Sequence, residues 1–174
     1  MGLEESTGGL NVKDVLPIVN GNIVPGYKFN HASPIEKESE YFRSNPEKGD
    51  RVHCVVFVVD ANILGQNNVS DGTRRNIKEI NEELRREDVP SFVLLTKIDN
   101  LCELVEKDIR NTYSSEKVKQ AVDIAVELYN VPEQNIFPIK NYHCETERDT
   151  NKEILILLAL KQMMYFGTDF LRST

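Results

Sequence analysis

The run from Val52 to Val59, Val-His-Cys-Val-Val-Phe-Val-Val, is almost unbroken in apolar, mostly β-branched residues. That pattern predicts a strand buried on both faces of a parallel sheet. Asp71 or Thr73 then opens a helix with Ile77, Ile80 and Leu84 on one face. Lys78, Glu79, Glu82, Glu83, Arg85 and Arg86 fall mostly on its water-facing side. Past Pro90, Ser91–Thr96 reads as a second buried strand. Short helical character follows near Leu101–Arg110, and a clear helix over Ser115–Asn130 places Val118, Ala121, Val122, Ala125, Leu128 and Tyr129 at the 3.6-residue period. Ile136–Ile139 predicts a third strand, at a sheet edge because Pro138 has no N–H for a ladder. Thr150-Asn151-Lys152-Glu153 has the form of a capping box and opens a helix over Ile154–Phe166, ending near Gly167. Strands alternating with helices imply crossover units and a parallel sheet.

Upstream of Val52 the pattern is weaker. Residues 1–10 read as a polar, glycine-rich loop. Val12, Val15, Leu16 and Val19 then form one stripe of a short helix, with Asn11 as its cap and Pro17 kinking it. Residues 20–50, punctuated by Gly21, Pro25-Gly26, Pro34, Pro46 and Gly49, are too long for a plain connector. They are a functional loop, a docking segment or a disordered stretch. No internal repeat is visible.

Composition narrows the partners. The 174 residues carry a net charge of −7 and a pI near 5.1, which argues against a surface that neutralises nucleic-acid phosphates. Cys54, Cys102 and Cys144 lack CxxC spacing, and His143-Cys144 has no second pair to complete a zinc site. Free thiols fit a reducing compartment, so the chain reads as cytoplasmic. The opening Met1-Gly2-Leu3-Glu4-Glu5 does not resemble a secretory signal, and the unbroken apolar runs are too short to span a membrane.

In open α/β sheets, ligands bind at the C-terminal ends of the strands. Three loops leave those ends here: Asp60-Ala61-Asn62, Thr96-Lys97-Ile98-Asp99 and Lys140-Asn141-Tyr142. The second is a TKxD sequence directly after a buried strand, resembling the guanine-reading motif of P-loop GTPases. A carboxylate at Asp99 can accept from both N–H donors on guanine's edge, and the stem of Lys97 can lie over the purine face. Thr96 can tie adjacent loops through its hydroxyl. Against this stands the plainer possibility that Lys97 and Asp99 are solvated loop charges. Asn141 occupies the place where GTPases set a backbone amide near the guanine oxygen, although an ordinary loop would look the same. A phosphorylatable Asp60 of receiver type would need an acidic pair and further upstream strands, and neither is present.

With these landmarks the chain resembles the interferon-induced protein 44 family. The matching stretches are Met1–Leu3, Val19–Ile23, Arg51–Ala61, Leu94–Asp99, Asn141-Tyr142 and Asp149–Leu171. The resemblance implies a cytoplasmic, interferon-responsive protein with antiviral associations. It also implies a partial Ras-like P-loop GTPase fold, α/β, with three parallel strands and flanking helices but no P-loop strand. Residues 1–50 would then be a loop-rich segment with one short helix, and residues 51–174 the C-terminal half of the GTPase-like domain. Thr96, Lys97, Asp99 and Asn141 become the implied guanine-binding residues, and Gly2 the remnant of the DxxG motif that senses phosphate.

The chain departs from a working GTPase in having no GxxxxGKS/T sequence anywhere. Each charge-assisted hydrogen bond is worth roughly 1.5–3 kcal/mol, so losing about four removes on the order of 6 kcal/mol. At tenfold per 1.4 kcal/mol, the base loop alone is expected to bind GTP at about millimolar strength or not at all. Catalytic residues and metal ligands are therefore not expected, and GTP or GDP with Mg²⁺ is expected only for a longer parent. The leading expectation is a non-catalytic, GTPase-derived innate-immunity domain with protein partners. The alternatives are a piece of an active GTP-binding protein, or a scaffold without ligand. The strand at 52–59 would lack its usual neighbour, so its edge is expected to pair in a homodimer or to be covered by residues 20–50.

Overall fold

The computed structural model describes residues 10–66 and 68–173, and Gly2 lies outside them. Strands β1 (Val55–Asp60), β2 (Ser91–Thr96) and β3 (Ile136–Pro138) form one sheet in the order β1-β2-β3. β2 and β3 run parallel, with Val93 opposite Ile136 and Leu95 opposite Pro138. The architecture is α/β: a three-stranded parallel sheet flanked by helices, consistent with part of a Ras-like fold. The helices are α1 (Val15–Val19), α2 (Ala61–Gly65), α3 (Asp71–Arg86), α4 (Ile98–Leu101), α5 (Glu103–Lys107), α6 (Glu116–Tyr129) and α7 (Thr150–Ser173). The chain divides into two compact units. One gathers the residues up to Val55, Ser70–Pro90 and those from Asp169 on; the other holds Val56–Val69 and Ser91–Thr168.

The sheet belongs to the second unit. Its centre is β2, where Phe92, Val93 and Leu95 are fully buried, as an apolar run with neighbours on both sides requires. α6 is capped by Ser115, whose hydroxyl accepts from the Val118 amide, and ends at Asn130 in the left-handed region at φ 47°. Its Val118, Ala121 and Ala125 are buried, and Tyr129 packs its ring on Phe57 of β1 at 4.9 Å. β3 is an outer strand, as Pro138 demands, and the Ile139 amide resumes bonding to the Leu95 carbonyl at 2.8 Å.

Two expectations need correction. Val58 is 67% exposed, so β1 is not buried on both faces; it ends the sheet order, and the side opposite Phe57 lies open at that residue. Both ends of α7 differ from expectation: its cap is Asp149, not Thr150, with Oδ1 accepting from the amides of Asn151 and Lys152, and the helix does not end near Gly167 but runs through it to Ser173. By length and composition alone, α7 is also long and apolar enough to cross a membrane. Reading unbroken apolar runs missed this because Lys161, Gln162 and Asp169 interrupt the stretch.

In the first unit α1 packs against α3, with Val15, Val19, Ile77, Ile80 and Leu84 buried. Ser70 caps α3 by accepting from the Thr73 amide. Residues 20–50 are a laced, turn-rich segment. Ile23 bridges Phe42, Asn22 and Arg43 exchange hydrogen bonds, and the Ile35 amide donates to the buried Asp14 carboxylate at 2.7 Å. Gly21 holds φ at +77°, and a Cβ there would meet the Asp50 carbonyl oxygen at 2.6 Å. Gly21→Ala is expected to cost at least about 1–2 kcal/mol for the left-handed backbone, before the clash is counted. A thermal melt should register it as a fall of several degrees.

Candidate functional site

The C-terminal end of β2 turns sharply. Thr96 is buried, and its hydroxyl donates to the Val59 carbonyl at 3.0 Å, fastening β2 to the end of β1. Lys97 then adopts φ 58°, a left-handed conformation that costs a side-chain-bearing residue about 1–2 kcal/mol. The turn drops Ile98 fully into the core and leaves Lys97 outside. Strain of this kind persists only where the surroundings enforce it, and it concentrates at ligand-holding loops.

Lys97 does not hang free. Its ammonium reaches Asp60 Oδ2 at 2.9 Å, so its stem is stretched from the end of β2 to the end of β1 while the side chain stays 60% exposed. Asp60 is itself fixed as the cap of α2, accepting from the backbone and side-chain nitrogens of Asn62 at 2.9 and 2.7 Å. Burial alone would raise the Asp60 carboxyl, but the donors from Asn62 and Lys97 outweigh it and hold the group below its ordinary value. The result is an anchored aliphatic strap lying open to solvent.

Asp99 stands in the first turn of α4, and its Oδ2 lies 3.2 Å from the ammonium of Lys140. Both side chains are mostly buried, at 18% and 16% exposure. Lys140 also faces Glu145 at 3.8 Å, and Glu145 takes the ammonium of Lys152 at 2.6 Å. Lys152 sits over the Tyr142 ring at 5.2 Å, and the Tyr142 hydroxyl accepts from the Asp149 amide at 2.7 Å. Glu145 further accepts from the amides of His143 and Cys144. The Lys152 ammonium, then the amides of His143 and Glu145 itself, hold its carboxyl well below the usual carboxylate range. The loop after β3 is thereby buckled onto the start of α7.

Thr96, Lys97 and Asp99 thus come together at one strand end. Asn141 is exposed on the neighbouring loop, and its predecessor Lys140 makes the contact to Asp99. Gly2 cannot be placed. The contributions of Glu145 and Lys152 went unread in the sequence, because a lysine in the first turn of an apolar helix looks like a solvated charge. Its one signal was the density of acids around it, Glu145, Asp149 and Glu153. Among the described residues no cluster of His, Cys, Asp and Glu could hold a metal ion. Cys54 is no ready nucleophile, since burial pushes its thiol up to about 11.

No family model matches the chain, and no solved structure matches it significantly. Curated proteins do. Human interferon-induced protein 44-like is 33% identical over 174 residues, covering 99% of this chain and 38% of the relative. Human interferon-induced protein 44 is 33% identical over 173 residues, with the same coverage. The mouse protein of that name is 31% identical, covering 99% of this chain and 40% of its own length. Along 99% of its length, this chain is a homologue of the interferon-induced protein 44 family, matching a region that makes up 38–40% of those relatives.

Proposed function

We propose that this chain is the base-recognising part of a guanine-nucleotide site in an interferon-induced, cytoplasmic protein, and that it is not catalytic by itself. The observation that carries the reading is the joint placement of the Lys97 strap and the Asp99–Lys140 pair at one end of the sheet. A flat purine needs an apolar shelf, and the anchored stem of Lys97 supplies one. Guanine's edge offers an acceptor oxygen beside two N–H donors. Asp99 presents acceptors next to a donor, the Lys140 ammonium, which is the complementary order. Adenine, with a donor amine in place of the oxygen, meets like facing like. The names of its relatives support interferon induction for this chain by homology.

The residues fit the base and not the phosphates. No GxxxxGKS/T sequence occurs in the chain, so it offers no motif for gripping a triphosphate and its Mg²⁺. Titration calorimetry with GDP and ADP at millimolar concentration tests the reading. Guanine-selective heat that disappears in Asp99→Ala is the expected result. Equal responses to GDP and ADP, or silence from both, would leave a scaffold without ligand.

A further inference from the structure

The end of β1 and the start of α2 grip Thr96 and Lys97 at several points. The Val59 carbonyl accepts from the Thr96 hydroxyl. Asp60 divides its two oxygens between different partners. Oδ1 accepts from the backbone and side-chain nitrogens of Asn62, at 2.9 and 2.7 Å, which leaves Oδ2 for the Lys97 ammonium at 2.9 Å. Asn62 Nδ2 also lies 3.4 Å from the Lys97 carbonyl oxygen, to which the Asn100 amide donates at 3.1 Å. Lys97 is therefore held at its tip and at its backbone. We infer that Asp60 is a positioning residue for base recognition, acting through Lys97 by keeping its stem extended as a ready-made shelf. The inference rests on the base-recognising reading and adds to it a residue that works at one remove.

Three observations support this role. The first concerns conformational freedom. An untethered lysine stem samples many rotamers, and a flat ligand settling on it must order them as it binds. With Asp60 at one end and a backbone fixed at φ 58° at the other, that ordering is complete beforehand.

The second is how little the pair gives the fold. The Lys97 side chain is 60% exposed, and ion pairs that open to water add little to stability. The cap of α2 uses only Oδ1, an acceptor that asparagine supplies as well. The charge on Asp60 thus serves Lys97 rather than the helix behind it.

The third is the shared turn. Lys97 is the residue before α4, and Asp99 stands in the first turn of that helix. Fastening Thr96 to Val59 and Lys97 to Asp60 makes the loops after β1 and β2 one unit. The shelf and the carboxylate that reads the edge of the base are then set together.

Two measurements on the whole chain test the inference. The first needs no ligand. Acetylation by an N-hydroxysuccinimide ester, read by peptide mass spectrometry, reports how freely the Lys97 amine leaves its partner. Asp60→Asn should raise labelling of Lys97 roughly threefold, the scale of an exposed pair, relative to exposed Lys107 of the same unit. The second is a cycle of GDP titrations. Asp60→Asn should weaken GDP roughly three- to tenfold, the cost of ordering one long side chain on binding. Lys97→Met keeps an apolar stem with nothing to anchor, so it should weaken GDP by a similar factor. Adding Asp60→Asn to Lys97→Met should then change little, because the two residues act as one. Losses that simply add, or unchanged labelling of Lys97 in Asp60→Asn, would overturn the inference while leaving the guanine selectivity of the wild-type chain intact. Equal responses of the wild-type chain to GDP and ADP would instead defeat the base reading, and the positioning role with it.

Discussion

Phe92→Ala is expected to lower the stability of the sheet-bearing unit by about 3–5 kcal/mol, the usual cost of removing a fully buried aromatic ring. Phe92 is completely buried in the central strand, with its ring edge-on to Phe166 of α7 at 5.4 Å and 6.1 Å from Phe137 of β3. Alanine would leave all three elements facing a void. Domains hold roughly 5–15 kcal/mol in total, so this one change consumes a large share. A fall of roughly 10 °C in melting temperature is the scale to look for in a chain of this size. Val58→Ala is the control: it lies on another strand of the same sheet but is 67% exposed, and it should cost well under 1 kcal/mol. Urea melts of the two variants decide the matter. Equal midpoints would mean that β2 is not the centre of the core.

The contrast between those two strands shows what a linear pattern can convey. Both Val52–Val59 and Ser91–Thr96 are apolar runs of the kind that marks a buried strand. The run itself does not say what covers each face, and only β2 has a strand on either side. The face of β1 at Val58 is left open, which periodicity could not reveal. The proline in β3 did speak, because a missing N–H is a covalent fact that restricts where a strand can sit. The same distinction runs through the site. Thr96, Lys97 and Asp99 were legible because they follow a strand directly, so their position came with the backbone. Their partners Asp60 and Lys140 come from other loops, and pairing across loops is set by packing that no local spacing encodes. Lys152 was harder still, a charge drawn inward by acids from a loop its own helix does not contain.

Lys152→Met should loosen the loop between β3 and α7 without unfolding the sheet. Methionine retains a long apolar stem beside Tyr142, so the change removes chiefly the charge that Glu145 and Asp149 share. Glu145 then loses the donor that holds it against the loop, and the amides of His143 and Cys144 lose a fixed acceptor. Hydrogen exchange at those two amides is expected to quicken roughly tenfold or more, while the β2 amides stay unchanged. Acid should act on the wild-type chain through the same carboxylate. Glu145 is held below its ordinary value of 4.5, chiefly by the Lys152 ammonium and then by the His143 amide. A depressed carboxylate contributes stability that is complete above its unfolded value and is lost as pH falls through the folded one. Protection of His143 and Cys144, corrected for intrinsic exchange, should therefore stay flat from pH 7 down to about 5 and fall only well below 4.5. In Lys152→Met the fall should begin nearer the ordinary glutamate range. Since Lys140 leans on Glu145 and Asp99 at once, the loosened loop should also weaken the Lys140–Asp99 pair. Unchanged exchange at His143 and Cys144 in the methionine variant would show that the backbone of this loop holds itself, and that the buckle is only a surface pair.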